Sequence, residues 1–297
     1  LHPVAHSFPT RRSSDLMDRS AATTAGITDL DVAQGHGVLF GLPISRAQET
    51  ATHTMPEGGL VSTAEDMAHY LIAQLNGGEY GGTHVLSAEG IAAVQRPDTP
   101  GAPPGEGYGM GWIVEPWQDT RVLRHGGSLE NFRAFAWLLP AHDYGFVVLM
   151  NQNSFVPAML AYSEIPEGIA RLLIGRDPET GLSMRVFYGG ITVLFLAVMA
   201  VDLRGLILLL RRAHGASSVT TGQLIRVIGG FVRAGLFYAF PFLLLATMDR
   251  GFSWSLGWTM APTIVLFIGW NVVMGVTKGA AQIRMLIRSK DQGSLVE

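Results

Sequence analysis

Four consecutive residues, His125-Gly126-Gly127-Ser128, have side chains and spacing that can do chemistry. A histidine can accept or donate a proton near neutral pH and can hydrogen-bond a substrate. Two glycines leave the backbone bare, so a ligand can come close to main-chain N–H groups. The pattern indicates a binding or proton-transfer site, although a histidine before two glycines is also typical of a simple turn.

The elements that must position these residues are three short apolar runs, residues 122–123, 132–139 and 146–150. They are rich in aromatic and β-branched residues and bounded by Gly, Pro, Asn and Asp, which predicts neighbouring antiparallel strands with His125 at the end of the first. The second and third runs are almost continuously apolar, which favours strands buried on both faces.

Helices are expected before these strands. Ser62 is an N-cap candidate, Glu65 completes a capping box, and the apolar spacing continues to Leu75. A second short helix begins near Ser87, a strand is expected over residues 108–117, and residues 155–174 have helical spacing. Residues 17–175 therefore predict an α+β domain.

Tyr108 and Trp112 belong to the segment that we expect to line a pocket beside His125. Both are predicted to contact substrate. For Trp112, packing in the core or at an interface is the alternative.

The composition excludes several classes of protein. A net charge of −3 gives no indication of nucleic-acid binding, and the absence of cysteine excludes disulfide frameworks, thiol catalysis and cysteine-bound metals. No metal or cofactor is expected. Hydrophobic residues make up 48% and charged residues 15% of the chain, which is too apolar for an ordinary soluble protein.

The apolar residues are concentrated after a linker over residues 176–185. Three long apolar runs follow within residues 186–290, each of roughly 20 residues or more, enough to cross a hydrocarbon core of about 30 Å. We therefore expect three transmembrane α-helices and a multi-pass protein of the cell membrane, with buried helices of a soluble domain as the alternative.

Basic residues set the expected orientation, because cytoplasmic loops carry an excess of Lys and Arg. The basic residues of the loop between the first two runs and of the tail after the third are Arg211, Arg212, Arg226, Lys278, Arg284, Arg288 and Lys290. Their positions predict that residues 17–180 lie outside the cytoplasm and that the C-terminus lies inside.

Two charges lie inside the predicted spans at matching depths, Asp202 in the first and Arg233 in the second. An unpaired charge at that depth costs about 2.5–3.5 kcal/mol even on the lenient insertion scale. The sequence therefore predicts an Asp202–Arg233 pair. The alternative is that Asp202 and Arg204 both reach towards the inner interface.

The order of four segments resembles a known family: GGLVSTAEDMAHYLIAQLNGG, YGMGW, HGG and VVLMNQN. It is similar to the C-terminal portion of the serine β-lactamase and penicillin-binding-protein superfamily, of the class C and esterase-like kind. The resemblance implies an antiparallel sheet with flanking helices. It also implies that His125-Gly126-Gly127 is the third active-site motif, that His125 assists proton transfer, and that the Ser128 N–H is an oxyanion donor.

The chain departs from that family in having no Ser-x-x-Lys nucleophile motif and no Tyr-x-Asn or Ser-x-Asn motif. Residues 6–16 match the translation of a common sequencing adapter, so residues 1–16 are interpreted as an artefact and native sequence is expected from Met17. We expect a fragment of a membrane-anchored serine hydrolase, inactive as it stands, whose parent acts on a β-lactam, a peptidoglycan peptide or an ester.

Two alternatives remain at this stage. The first is a non-catalytic, outward-facing binding module on a three-helix anchor. The second is a small transport or sensing unit that uses Asp202 and Arg233.

Overall fold

The computed structural model describes residues 17–47, 58–154, 161–179, 181, 183–212, 221–246 and 261–293. The chain divides into two units. The first comprises Leu1–Gly37 and Pro43–Leu182, and the second comprises Val38–Leu42 and Ser183–Glu297. The suspected adapter segment and the predicted start of the helical run after residue 154 lie outside the described residues.

The first unit combines a sheet with helices on its two faces, in agreement with the α+β prediction. Its helices are α1 (Thr24–Thr28), α2 (Ala64–Leu75), α3 (Ala88–Val94) and α4 (Glu164–Leu173). Two small hairpins pair β1 (His36–Leu39) with β2 (Leu42–Ser45), and β3 (Glu79–Tyr80) with β4 (Thr83–His84). In the first of them, residues 38–42 are assigned to the second unit.

The main sheet has five antiparallel strands in the order β5-β6-β7-β8-β9. Their bounds are β5 (Gly107–Tyr108), β6 (Ile113–Trp117), β7 (Thr120–Ser128), β8 (Arg133–Leu139) and β9 (Tyr144–Met150). Each strand pairs with the next one along the chain, so the sheet is a simple meander whose strands are joined by short turns.

Two apolar clusters hold this sheet, and neighbouring residues of one strand belong to different clusters. Val122 packs with Trp137, Leu139 and Ala170 of α4, whereas Leu123 packs with Leu138 and Leu71 of α2. Successive side chains of a strand point to opposite faces. Helix α2 therefore covers one face of the sheet and α4 the other, and β7 and β8 form its centre.

The edge strand β9 differs from the prediction that it is buried on both faces. Among the described residues its partner in the main sheet is β8 alone, and all its residues are half-buried or exposed, including Tyr144 and Leu149 at 44% and 42%. The apolar composition of a strand such as β9 therefore does not show whether the strand lies at the edge or in the centre of the sheet.

Two local predictions are also corrected. The N-cap of α2 is Thr63, whose Oγ1 accepts from the Asp66 N–H at 3.2 Å, whereas Ser62 is hydrogen-bonded to Ser20. The single strand expected over residues 108–117 is two strands, because a tight turn separates β5 from β6 and places Gly111 at a φ of +85° that favours glycine.

The second unit contains three long helices, α5 (Met184–Arg212), α6 (Thr221–Ala246) and α7 (Pro262–Gly293). Among the described residues, Met184–Arg211 and Pro262–Met285 are long and apolar enough to cross a membrane. The apolar stretch described in α6 is the shorter Val227–Ala239. The structure thus gives two candidate spans where the sequence predicts three.

Candidate functional site

The strand β7 carries the four residues that the sequence singles out. His125, Gly126, Gly127 and Ser128 lie opposite Ala136, Phe135, Ala134 and Arg133 of β8. These four residues are strand and not turn, which excludes the simple turn interpretation. The turn comes later, where the Leu129 N–H donates to the Phe132 carbonyl at 3.0 Å.

The two glycines leave this end of β7 open. A Cβ built at Gly126 would meet nothing nearer than 3.7 Å, and one at Gly127 would meet the Ala134 Cβ at 3.5 Å, which are ordinary contacts. Packing within the sheet therefore does not require glycine at either position. What glycine provides is bare, exposed backbone that another molecule can reach.

One edge of β7 is also free at this point. The neighbouring strand β6 begins at Ile113, opposite Arg124, so in the described part of the chain His125 to Ser128 have β8 as their only strand neighbour. The main-chain groups on the other edge are available to an extended ligand or to a carbonyl oxygen.

A tyrosine holds the His125 ring at this edge. The Tyr108 hydroxyl lies 3.1 Å from His125 Nε2, and the two rings meet edge to face with centroids 6.0 Å apart. Tyr108 is 48% exposed and His125 is exposed. The hydroxyl can donate or accept, so it can orient either tautomer of the imidazole.

The end of β7 is fixed by Asn153, which was not among the site residues predicted from the sequence. Its side chain is 2% exposed and donates to Ser128 Oγ at 3.0 Å and to the Leu129 carbonyl at 2.5 Å. This buried amide thus ties the Ser128 side chain and the Leu129 carbonyl to the segment after β9. An asparagine three residues after the strand predicted over residues 146–150 was the available signal.

Arg133 brings a positive charge to the same end of the sheet. It lies opposite Ser128, and its guanidinium carbon lies 5.2 Å from the centroid of the Phe135 ring. Burial lowers the pKa of the Arg133 guanidinium, while Tyr162 acts in the opposite direction. Arginine nonetheless stays protonated in proteins, so the charge is available to an anionic group.

Trp112 lies away from the surface. It is 2% exposed, packs with Leu71 and Val114, and stacks on Tyr70 at a centroid distance of 6.3 Å. A side chain with so little exposed area has no face left for substrate. We therefore assign Trp112 to the core and keep Tyr108 as the residue beside His125.

The helical unit contains a second polar cluster, around Asp202 of α5. Arg233 of α6 donates to both carboxylate oxygens at 3.1 and 3.2 Å, and Lys278 Nζ of α7 lies 2.8 Å from Oδ1. Trp270 Nε1 donates to Oδ2 at 3.1 Å, and Arg233 also bonds to Asn271. The structure thus places the two predicted partners side by side and adds three residues of α7.

Sequence reasoning missed the part played by Lys278, which it used only to orient the chain. The signal was its depth, because Lys278 follows a charge-free stretch from the start of α7, as Asp202 follows one in α5.

No three His, Asp or Glu side chains are grouped closely enough to hold a metal ion within the part of the chain that the structure describes.

The chain is similar to several known proteins. Two solved structures are similar: the octameric penicillin-binding protein homologue from Pyrococcus abyssi, at 26% identity and TM-score 0.47, and a class C beta lactamase from Rhodobacter sphaeroides, at 18% identity and TM-score 0.40. The first match covers 61% of this chain and 40% of that one, and the second covers 52% and 51%.

Among curated proteins, Protein flp of Staphylococcus aureus strain NCTC 8325 is 29% identical over 132 residues, and that of strain MW2 is equally similar. The match covers 44% of this chain but 25% of the relative, so the chain spans about a quarter of the length of the curated relatives it matches. The family model described as Beta-lactamase matches residues 4–164, more than half of the sequence, and the chain therefore belongs to the beta-lactamase family.

Proposed function

We propose that the sheet unit supplies the third-motif wall of a serine acyl-transfer site, and that the three helices anchor it in a membrane. The observation that carries the proposal is the placement of His125-Gly126-Gly127 on an exposed strand with one free edge, in a member of the beta-lactamase family. Substrate would lie along β7 with its reacting carbonyl near the Ser128 N–H.

The chemistry of that wall follows from its groups. Donors aimed at a developing oxyanion stabilise the transition state, and loss of one typically costs about 10²–10³ in rate. The Ser128 N–H is such a donor, and Asn153 bonds to the Ser128 side chain and to the next carbonyl, that of Leu129. His125 can transfer a proton to or from the reacting group while Tyr108 orients its ring.

The covalent step needs a nucleophile that this sequence does not contain, since it has no Ser-x-x-Lys motif. The proposal assigns that step to residues outside the given chain, with a β-lactam, a peptidoglycan peptide or a small ester as substrate. The chain alone is then inactive. The same absence favours a second candidate, a non-catalytic binding module on the same anchor.

Sequencing the genomic locus across codons 1–40 and upstream separates the two. An upstream frame that contains Ser-x-x-Lys gives an extended protein in which hydrolysis of a chromogenic β-lactam and of p-nitrophenyl esters is measured. His125→Ala should lower kcat/KM by about 10²–10³. His142→Ala, an exposed histidine in the turn before β9, is the control and should change little. No such frame, or full activity of His125→Ala, contradicts the hydrolase proposal.

The membrane part has a separate test. The two apolar helices support insertion, and the proposal adds α6 as a third span, with the sheet unit outside and the C-terminus inside the cell. We expect the chain to resist alkaline carbonate extraction, and a C-terminal tag to be protected from protease in intact spheroplasts. Release by carbonate would refute the anchor.

A further inference from the structure

The Asp202 cluster has more positive than negative charge. One carboxylate lies against two cations, Lys278 at 2.8 Å and Arg233 at 3.1 Å, so the three side chains sum to one positive charge. The remaining members, Trp270 and Asn271, are neutral. The described residues provide no second carboxylate in this cluster.

The charges are unequally exposed. The Asp202 side chain is 4% exposed, whereas those of Lys278 and Arg233 are 23% and 38% exposed. The carboxylate is thus covered by its partners, and the cations form the outer surface of the cluster. A molecule that approaches from outside meets positive charge.

The cluster also lies at one depth in all three helices. Within the described helices, uncharged stretches of 16, 13 and 16 residues lie between Asp202, Arg233 and Lys278 and the proposed outer ends: residues 186–201, 234–246 and 262–277. At 1.5 Å per residue these stretches measure about 20–24 Å. In a hydrocarbon core of about 30 Å, the cluster lies near the inner boundary, within side-chain reach of lipid phosphates.

We propose that Lys278 and Arg233 bind the phosphate of an anionic phospholipid headgroup in the inner leaflet. The lipid supplies the second negative charge that the cluster lacks, and basic pockets between helices on the cytoplasmic side suit such headgroups. The inference rests on the membrane placement proposed above. It does not depend on the hydrolase activity.

The test measures lipid preference of the full chain in phosphatidylcholine nanodiscs. Spin-labelled phosphatidylglycerol and phosphatidylcholine are compared by electron paramagnetic resonance. Wild type should prefer phosphatidylglycerol by about fivefold, as expected for the one net positive charge of the cluster. Lys278→Met should lose most of that preference, while Arg284→Met, which removes an exposed cation on the same helix, should keep it. Asp202→Asn should raise the preference of the protein that folds, because the cluster then carries two positive charges.

Every other outcome overturns the inference. Equal losses in Lys278→Met and Arg284→Met mean diffuse attraction by a basic surface, and competition by 10-fold excess inorganic phosphate means a site for a soluble anion. If the variants do not insert, a photoactivatable phosphatidylglycerol headgroup should label wild type near Lys278, and labelling spread evenly along α7 refutes the site. Carbonate release would remove the membrane premise, whereas an embedded chain without lipid preference overturns this inference alone.

Discussion

The two units of this chain distribute apolar side chains differently. In the sheet unit most fully buried side chains are apolar, such as Leu123 and Leu138, with Ser20 and Asn131 as polar exceptions, and the polar motif at His125 is exposed. In the helical unit large apolar side chains are exposed, with Val201 at 70%, while Asp202 is 3% exposed.

The difference agrees with the proposal that the helical unit lies in a membrane. In water, a large contiguous apolar surface is unfavourable and a buried charge must be paired. Exposed apolar helices around a paired polar cluster are what a hydrocarbon environment favours, because only there does the apolar exterior cost nothing. This contrast supports the membrane placement independently of helix length.

The largest expected effect comes from the same substitution made in both units. Leu138→Ala removes a side chain that is 0% exposed at the centre of the sheet, and it should lower the free energy of unfolding by about 2–5 kcal/mol. Leu203→Ala removes one that is 51% exposed on α5 and should change it little. Urea unfolding in detergent compares the two variants. Equal losses would mean that Leu203 packs against protein and would break the contrast.

Asp202→Asn should have the next largest effect, because it removes the carboxylate that pairs with Arg233 and Lys278. An unpaired charge in a span costs about 2.5–3.5 kcal/mol. The yield of membrane-integrated protein should fall, as measured by quantitative blotting of carbonate-resistant membranes. The double variant with Lys278→Met should recover part of the yield, since one cation and one neutral amide remain. If Lys278→Met does not restore any of the lost yield, the effect of Asp202→Asn comes from altered side-chain packing and not from unbalanced charge.

Close packing of α6 on α7 predicts a smaller effect. A Cβ on Gly275 would lie 2.7 Å from the Gly230 carbonyl oxygen and 2.9 Å from the Ala234 Cβ, so Gly275→Ala must push the helices apart. Overpacking of this kind costs about 1–3 kcal/mol. Small residues let membrane helices approach in this way.

Gly269→Ala is the matched control on the same helix, because a Cβ there meets no atom of the described residues within 4 Å. Thermal unfolding in detergent should therefore separate the two alanine variants. If both lower the midpoint equally, the effect comes from helix geometry and not from contact with α6.

Much of the sheet unit could be predicted from the sequence, because its signals are local. The runs around Leu123, Leu138 and Val148 form three neighbouring antiparallel strands, and Ser87 caps α3 with a bond from the Gly90 N–H at 3.1 Å. Strand pairing in a meander follows chain order, so each run needs only its neighbours.

Other features depend on distant partners and could not be predicted. Ser62 and Thr63 are equally good cap residues by type, but the contact of Ser62 with Ser20 across 42 positions leaves Thr63 to cap α2. Trp112 is of a residue type that often lines pockets, and its burial becomes visible only from its packing against α2. The pairing of Asp202 with Arg233 was predicted from their matching depths in the membrane spans. Lys278 was missed because it was assigned to the basic C-terminal tail and not to the third span.

The smallest expected effect is a threonine substitution made in both units. Thr63→Ala removes the cap that accepts from the Asp66 N–H in α2, and it should lower the free energy of unfolding by about 1 kcal/mol. Thr63→Ser keeps the oxygen and should restore most of it. Thr277→Ala removes a hydroxyl that donates to the Val273 carbonyl within α7, where the backbone bonds are already made, so its effect should be close to zero. Denaturant unfolding of all three variants checks this order. If Thr277→Ala lowers the free energy of unfolding more than Thr63→Ala does, side-chain hydroxyls stabilise the helical unit more than the sheet unit, contrary to the contrast drawn here.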